Sequence, residues 1–188
     1  MGTLGYTATV SLDGYVADAT GDFNWSGPSD EVFAVHVERM AEVSTEVLGR
    51  KTFALMQYWE TYPPEGEVPT ADELEFARRW RAIEKVVASS TLTSADLGPS
   101  RARLVSHLSL EGLRRIVDEA PGRVEIFGPT VAAPAIRAGM IDHFEFFVVP
   151  KVVGGGLRAL PDGPRLDLEL AGHTVFANGA VHLRYERR

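Results

Sequence analysis

Short apolar, β-branched runs alternate with segments of helical period from residue 4 to residue 153, and the chain beyond carries strand signals alone. Strand-like runs lie at 4–11, 45–48, 85–88, 124–127 and 144–153. Helical segments lie between them. Ser29 stands where a cap belongs, ahead of a helix over 30–41 whose Val32, Phe33, Val37 and Met40 share one face. Further helices are expected over 71–80, 110–119 (capped by Ser109) and 131–138, and a helix or turn over 50–58. The tail, 166–185, alternates well enough for two or three strands, and Asn178-Gly179 is a hairpin turn. This order predicts an α/β fold with a mainly parallel sheet and an antiparallel C-terminal edge. No repeat or linker interrupts it, so residues 1–188 are expected to form a single domain.

Composition narrows the function classes. The 188 residues include no cysteine, which excludes disulfides, thiolate metal sites and cysteine nucleophiles. The net charge of −7 argues against broad nucleic-acid binding, which relies on Lys and Arg neutralising phosphates, yet leaves room for one local basic pocket. The five histidines show no metal-ligand spacing, so no metal is expected. No run reaches the roughly 20 apolar residues of a membrane helix, and the N-terminus does not read as a secretory signal. The expectation is a cytoplasmic protein bound to neither membrane nor nucleic acid.

Three strand ends carry small polar or glycine residues: Gly49-Arg50-Lys51-Thr52, Ser89-Ser90-Thr91 and Gly128-Pro129-Thr130. Ligands of open α/β sheets bind outside the carboxyl ends of strands, and Arg50 and Lys51 add positive charge. Together the three ends suit one long, phosphorylated cofactor; singly, each also reads as a cap or turn. Gly154-Gly155-Gly156 has two readings, a ligand cradle or a bend.

Taken in order, these segments resemble the dihydrofolate reductase superfamily, in the branch that includes the reductase domain of the riboflavin-biosynthesis deaminase–reductase. The resemblance rests on Thr9 to Ala17, Gly21-Asp22-Phe23-Asn24-Trp25, Gly49 to Phe53, Ala88 to Thr91, Ile126-Phe127-Gly128-Pro129, and Met140-Ile141-Asp142 leading to Pro150 and Gly154-Gly155-Gly156. It implies a three-layer αβα fold with a mixed sheet, NADPH across the strand ends, and hydride transfer to a small heterocycle, either pterin-like, including dihydrofolate, or a ribosylaminopyrimidine. It places Gly49, Arg50, Lys51 and Thr52 at the cofactor phosphates and Ser89, Ser90 and Thr91 at the adenosine 2′-phosphate. Thr9 and Val16 flank the nicotinamide, and Gly128, Pro129, Thr130 and Val131 meet the pyrophosphate. Trp25, Asp30 and Phe33 line the substrate pocket. Relatives in this branch often pair, which implies a homodimer, with Val148, Val152 and Leu157 as candidate contacts.

The chain departs from the family pattern where a Gly-Gly pair joined by a cis peptide usually stands, because Gly128-Pro129 replaces it. Proline tolerates cis geometry but lacks an N–H donor, so a cis Gly128–Pro129 peptide and a weaker cofactor grip are both expected. Asp30 has two readings: a catalytic carboxyl that assists protonation of the substrate ring, or an acidic residue favoured in the first turn of a helix. Arg78, Arg79 and Arg81 are candidate anchors for an anionic substrate tail. Two rival functions stand beside the leading one. One is a non-catalytic ligand-binding or scaffold protein that retains the fold; the other is a reductase of small carbonyl or nitro compounds.

Overall fold

The computed structural model describes residues 2–188. Its strands are β1 (Leu4–Ser11), β2 (Tyr15–Ala17), β3 (Val43–Gly49), β4 (Glu84–Ala88), β5 (Arg103–Val105), β6 (Arg123–Phe127), β7 (His143–Val149), β8 (Leu157–Arg158), β9 (Leu168–Val175) and β10 (Val181–Arg187). Its helices are α1 (Asp30–Met40), α2 (Arg50–Met56), α3 (Ala71–Ala82), α4 (Leu110–Glu119) and α5 (Pro129–Arg137). The class is α/β, a mixed, mainly parallel sheet of eight strands with an antiparallel edge, flanked by five helices. β2 and β8 form a separate two-stranded sheet. Two differences from the sequence reading stand out. The strand after residue 143 ends at Val149 rather than Val153, and the three-residue β5 was not foreseen. The chain divides into two compact units, one of Gly2 with Asp30–Glu125, the other of Thr3–Ser29 with Ile126–Arg188.

In the first unit, β3, β4 and β5 run parallel, in registers that pair Gly49 with Ala88 and Ala88 with Val105. Val47, Leu48, Val86 and Val87 are almost completely buried, as parallel strands covered on both faces require. α3 begins at a reciprocal cap: Glu73 N–H donates to Thr70 Oγ1 at 3.2 Å, and Thr70 N–H donates to Glu73 Oε2 at 2.8 Å. It buries Phe76, Ala77 and Trp80. Ser109 caps α4 as expected, accepting from Gly112 N–H at 3.0 Å. α1 contributes Val32, Val37 and Met40 to the core, and its first-turn Asp30 and Glu31 suit the positive end of the helix dipole.

Charges are buried in this unit as well. Glu46 on β3 stands opposite Lys85 on β4, and both are buried. The Lys85 ammonium donates to the carbonyls of Trp80 (2.7 Å) and Ile83 (3.2 Å), satisfying the C-terminal end of α3, and lies 3.5 Å from Glu60. Burial lowers the Lys85 pKa despite these partners. Glu125 meets Arg39 at 3.2 Å and Arg123 at 3.0 Å. Glu46 has no comparable salt bridge among the described residues, and one of its oxygens lacks a hydrogen-bond partner. Burial, reinforced by the Glu125 carboxylate, pushes the Glu46 carboxyl up to about 8 against the pull of Arg39 and Lys85.

In the second unit, β1 and β7 pair in parallel from Gly5–His143 to Ser11–Val149. β10 lies antiparallel to β7, and β9 antiparallel to β10 with a bulge at Arg184/Tyr185. The hairpin turns at Asn178-Gly179 as the sequence predicts. Gly179 takes φ 84°, Phe176 N–H donates to the Ala180 carbonyl at 2.9 Å, and Ala180 N–H donates to Asn178 Oδ1 at 3.0 Å. Tyr6, fully buried in β1, donates its hydroxyl to the Ala159 carbonyl at 2.7 Å, and burial raises its pKa.

The expected cis peptide at Gly128–Pro129 is not found. Among the described residues the cis peptide is Tyr62–Pro63. Pro129 is instead the first residue of α5, where its fixed φ and missing N–H fit a helix start, and Gly128 makes the turn with φ 112° and ψ 126°.

Candidate active site

The first unit brings two of the expected cofactor segments side by side. Residues 49–52 leave β3 and residues 89–91 leave β4 at adjacent carboxyl ends, because Gly49 and Ala88 are cross-strand partners. Arg50 and Lys51 are exposed, and no carboxylate among the described residues forms an ion pair with either. The β4 end is held in shape by its own hydroxyl. Ser89 Oγ accepts from the N–H groups of Thr91 and Leu92, each at 3.2 Å, while Ser89 N–H donates to Val105 at 2.9 Å. That bonding satisfies the loop through Ser89 and leaves Ser90 and Thr91 exposed.

The same unit holds Asp30 and Phe33 within the first turns of α1. Asp30 is exposed; the Phe33 ring stacks on Trp59 at 5.8 Å and meets Phe76 at 5.5 Å. Trp59 in turn packs on Tyr58 and Tyr62. The three candidate tail anchors are engaged. Arg78 and Arg79 bond Glu75 at 2.7 and 2.6 Å and hold its carboxyl down to about 2, and Arg79 also donates to the Val37 carbonyl. Arg81 donates to the carbonyls of Trp59 and Tyr62.

The second unit holds Thr9, Val16, Trp25 and residues 128–131. Thr9 is half-buried on β1 opposite Phe147, and Val16 lies on β2. Trp25 sits in a 3-10 turn, its indole N–H donating to the Asp22 carbonyl at 3.0 Å. Asp18 orders the preceding loop by accepting from Thr20 and Asp22 amides, and these bonds, led by that from the Thr20 hydroxyl, lower its pKa.

The turn after β1 is joined to the segment after β7. Asp13 accepts from the amides of Val153 (3.2 Å) and Gly154 (2.8 Å), and Leu12 N–H donates to Lys151 at 2.7 Å. The Asp13 pKa is lowered, first by the Ser11 hydroxyl and also by those amides. Within the glycine run, Gly156 is the residue the packing requires. Gly156, at φ +132°, brings its Cα against Ala17 and Asp18, and an added Cβ would overlap the Ala17 carbonyl oxygen and stand 2.6 Å from that of Asp18.

Sequence reasoning passed over one feature of this unit. A groove of about 460 Å³ runs along one flank of α5, lined among others by Tyr15, Thr130, Ala133, Arg137, Arg158 and Asp162. The 130, 133, 137 spacing places those residues on one helix face, a signal available in the sequence. Arg158 two residues beyond the glycine run gave no such signal.

The RibD C-terminal domain family model matches residues 3–182. The chain belongs to that family. A comparison with curated protein sequences found no match. The RibD C-terminal domain fold is repeated in solved structures. A putative riboflavin biosynthesis protein from Shewanella sp. PV-4 is similar at TM-score 0.77 and 21% identity, with 99% of each chain covered. A diaminohydroxyphosphoribosylaminopyrimidine deaminase/5-amino-6-(5-phosphoribosylamino)uracil reductase from Thermotoga maritima is similar at TM-score 0.70 and 15% identity, over 100% of this chain and 57% of that one. Dihydrofolate reductase from Enterococcus faecalis, complexed with NADP(H) and RAB-propyl, is similar at TM-score 0.62 and 19% identity, over 99% of this chain and 96% of that one. These likenesses establish the fold expected from the sequence: the RibD C-terminal domain architecture is dihydrofolate-reductase-like.

Proposed function

We propose that this protein is an NADPH-dependent reductase that transfers a hydride to a small heterocycle, pterin-like or a ribosylaminopyrimidine. The reading takes residues 1–188 as one dihydrofolate-reductase-like domain in the cytoplasm. The observation that carries it is the pair of strand ends in the first unit. Arg50 and Lys51, free of carboxylate partners, leave β3 beside the exposed hydroxyls of Ser90 and Thr91 at the end of β4. A 2′-phosphate adds about two negative charges and several acceptor oxygens, which suits a guanidinium and hydroxyls. An NADH site would favour an acidic residue there, and none lies between Ala88 and Thr93. Family membership and the dihydrofolate-reductase-like fold support the same class.

The cofactor would supply the hydride, and the protein binds, orients and excludes water. Gly49, Arg50, Lys51 and Thr52 would take its phosphates, with Ser89, Ser90 and Thr91 at the 2′-phosphate. Gly128, Pro129, Thr130 and Val131 would meet the pyrophosphate, and Thr9 and Val16 the nicotinamide. Trp25 and Phe33 would bound the substrate, with Asp30 hydrogen-bonded to its ring.

Calorimetric titration tests the cofactor. NADPH is expected to bind more tightly than NADH, and Arg50→Ala to weaken NADPH by about 1.5–3 kcal/mol with a smaller change for NADH. Equal affinities in the unaltered protein would overturn the assignment, and no binding of either would favour a scaffold. The same reading expects a homodimer, with Val148 and the exposed Val152 and Leu157 at its contact, and neither nucleic acid nor membrane as partner. Light scattering that gives the monomer mass over a wide concentration range would reject the dimer.

A further inference from the structure

We propose that Asn178 is a site of spontaneous deamidation, closing a succinimide ring with the amide nitrogen of Gly179 at the tip of the β9–β10 hairpin. The chain has two asparagines, Asn24 and Asn178, and only the second precedes a glycine. Folding itself sets that pair. Residue 179 stands at φ 84°, where a side chain is rarely accepted, so the turn places an unhindered nitrogen directly after the asparagine. Both residues are exposed to water.

The turn also fixes the asparagine side chain. Ala180 N–H donates to Asn178 Oδ1 at 3.0 Å. When the Gly179 nitrogen adds to Cγ, negative charge develops on that same oxygen, and the Ala180 donor is already in place to stabilise it. Gly179 N–H is bonded to the Phe176 carbonyl at 2.9 Å, so its proton is lost to hydroxide once that bond opens at the exposed tip. The Cγ–Nδ2 bond then breaks, ammonia leaves and the ring closes. Water opens the ring on either side of the Gly179 nitrogen. Cleavage from Cγ gives aspartate; cleavage from the main-chain carbonyl carbon gives isoaspartate, with the backbone rerouted through Cγ. The balance is one water taken up and one ammonia released, with nothing oxidised or reduced. Asn24 is placed differently: its Nδ2 donates to Asp22 Oδ1 at 2.6 Å, and the bulky Trp25 follows it.

The two products differ in what they do to the sheet. Isoaspartate adds a backbone carbon to the turn that sets the Val175–Val181 pairing, where the β9–β10 ladder begins. β9 is the edge of the eight-stranded sheet and is held there by β10, so a strained turn loosens the strand. Aspartate keeps the original backbone length and an oxygen for Ala180 N–H, and adds a negative charge.

Incubation of the full chain at mildly alkaline pH, followed by trypsin digestion and mass spectrometry, tests the proposal. The fragment 166–184 carries Asn178, and Asn24 lies in another. Aspartate and isoaspartate should accumulate at 178, faster as pH rises, with ammonia released in equal amount, while Asn24 stays intact. Asn178→Gln, whose longer side chain has to close a larger ring, should lose the reaction. The isoaspartate form should exchange its β9 amide hydrogens faster than the unaltered chain, and Asn178→Asp should match the unaltered chain. Conversion of residue 178 in urea but not in the folded protein would overturn the proposal by showing that the hairpin protects it. Aspartate formed without isoaspartate would exclude the succinimide, and equal loss of both asparagines would exclude a role for the turn.

Discussion

Glu46→Gln is expected to flatten the pH dependence of stability and to make the protein more stable near pH 8. The folded-state pKa of about 8 lies above the ordinary glutamate value of 4.5, so the folded protein holds a proton that the unfolded chain releases. Stability linked to this group is therefore full below about pH 4.5 and declines as pH rises, until the folded carboxyl itself ionises near 8. At about 1.4 kcal/mol per unit, the loss across that window is several kcal/mol in order of magnitude. Its cause is structural. Glu46 is buried in β3 near Glu125, whose charge repels it, and Lys85 and Arg39 only partly compensate. Glutamine keeps the shape and cannot ionise. Urea unfolding of both proteins at pH 5, 6.5 and 8 would show converging stabilities at pH 5 and a gap that opens with pH. Parallel profiles would mean that Glu46 does not carry the proton.

The three consecutive glycines should respond very differently to alanine. Gly156→Ala should destabilise by about 3 kcal/mol or more, since its Cβ would overlap backbone of residues 17 and 18 and its φ of +132° is rarely adopted by L-residues. Gly154, at φ +77° with open space around it, should lose only about 1 kcal/mol. Gly155 faces no atoms within 4 Å and has no positive φ, so its change should stay within about 0.5 kcal/mol. Thermal unfolding of the three variants gives the ranking directly. Equal effects at 155 and 156 would show that β2 and the glycine run are not in close contact in solution.

β1 is legible in the sequence because Tyr6, Ala8 and Val10 alternate with the β-branched Thr7 and Thr9 in a strand-favouring run, and the Asn178-Gly179 hairpin because few residues accept that turn. β5 escaped because Arg103-Leu104-Val105 is too short to show a period, and its pairing with β4 defines it. The turn at 128–129 was misread for a different reason. A proline after glycine is compatible with a cis turn and with a helix start, and the helix that follows decides between them. At the candidate site, the loops bearing Arg50 and Ser89 were legible as strand ends, whereas their adjacency comes from the register of β3 and β4. Arg137, Arg158 and Tyr15 lie far apart in the chain, and local pattern carries no trace of their convergence. Nor does it separate Glu46 from a surface glutamate, since burial is a property of the packed unit.

Asp13 has a consequence for how this chain tolerates change in length. Its carboxylate fastens the turn after β1 to the amides of residues 153 and 154, while residue 12 is bonded to residue 151 and residue 14 to residue 159. The two segments therefore behave as one unit of variation. An insertion or deletion in either has to be matched in the other to keep those bonds, whereas the exposed loop around Gly66 and Val68 carries no such obligation and is the place where length should drift among descendants of this sequence.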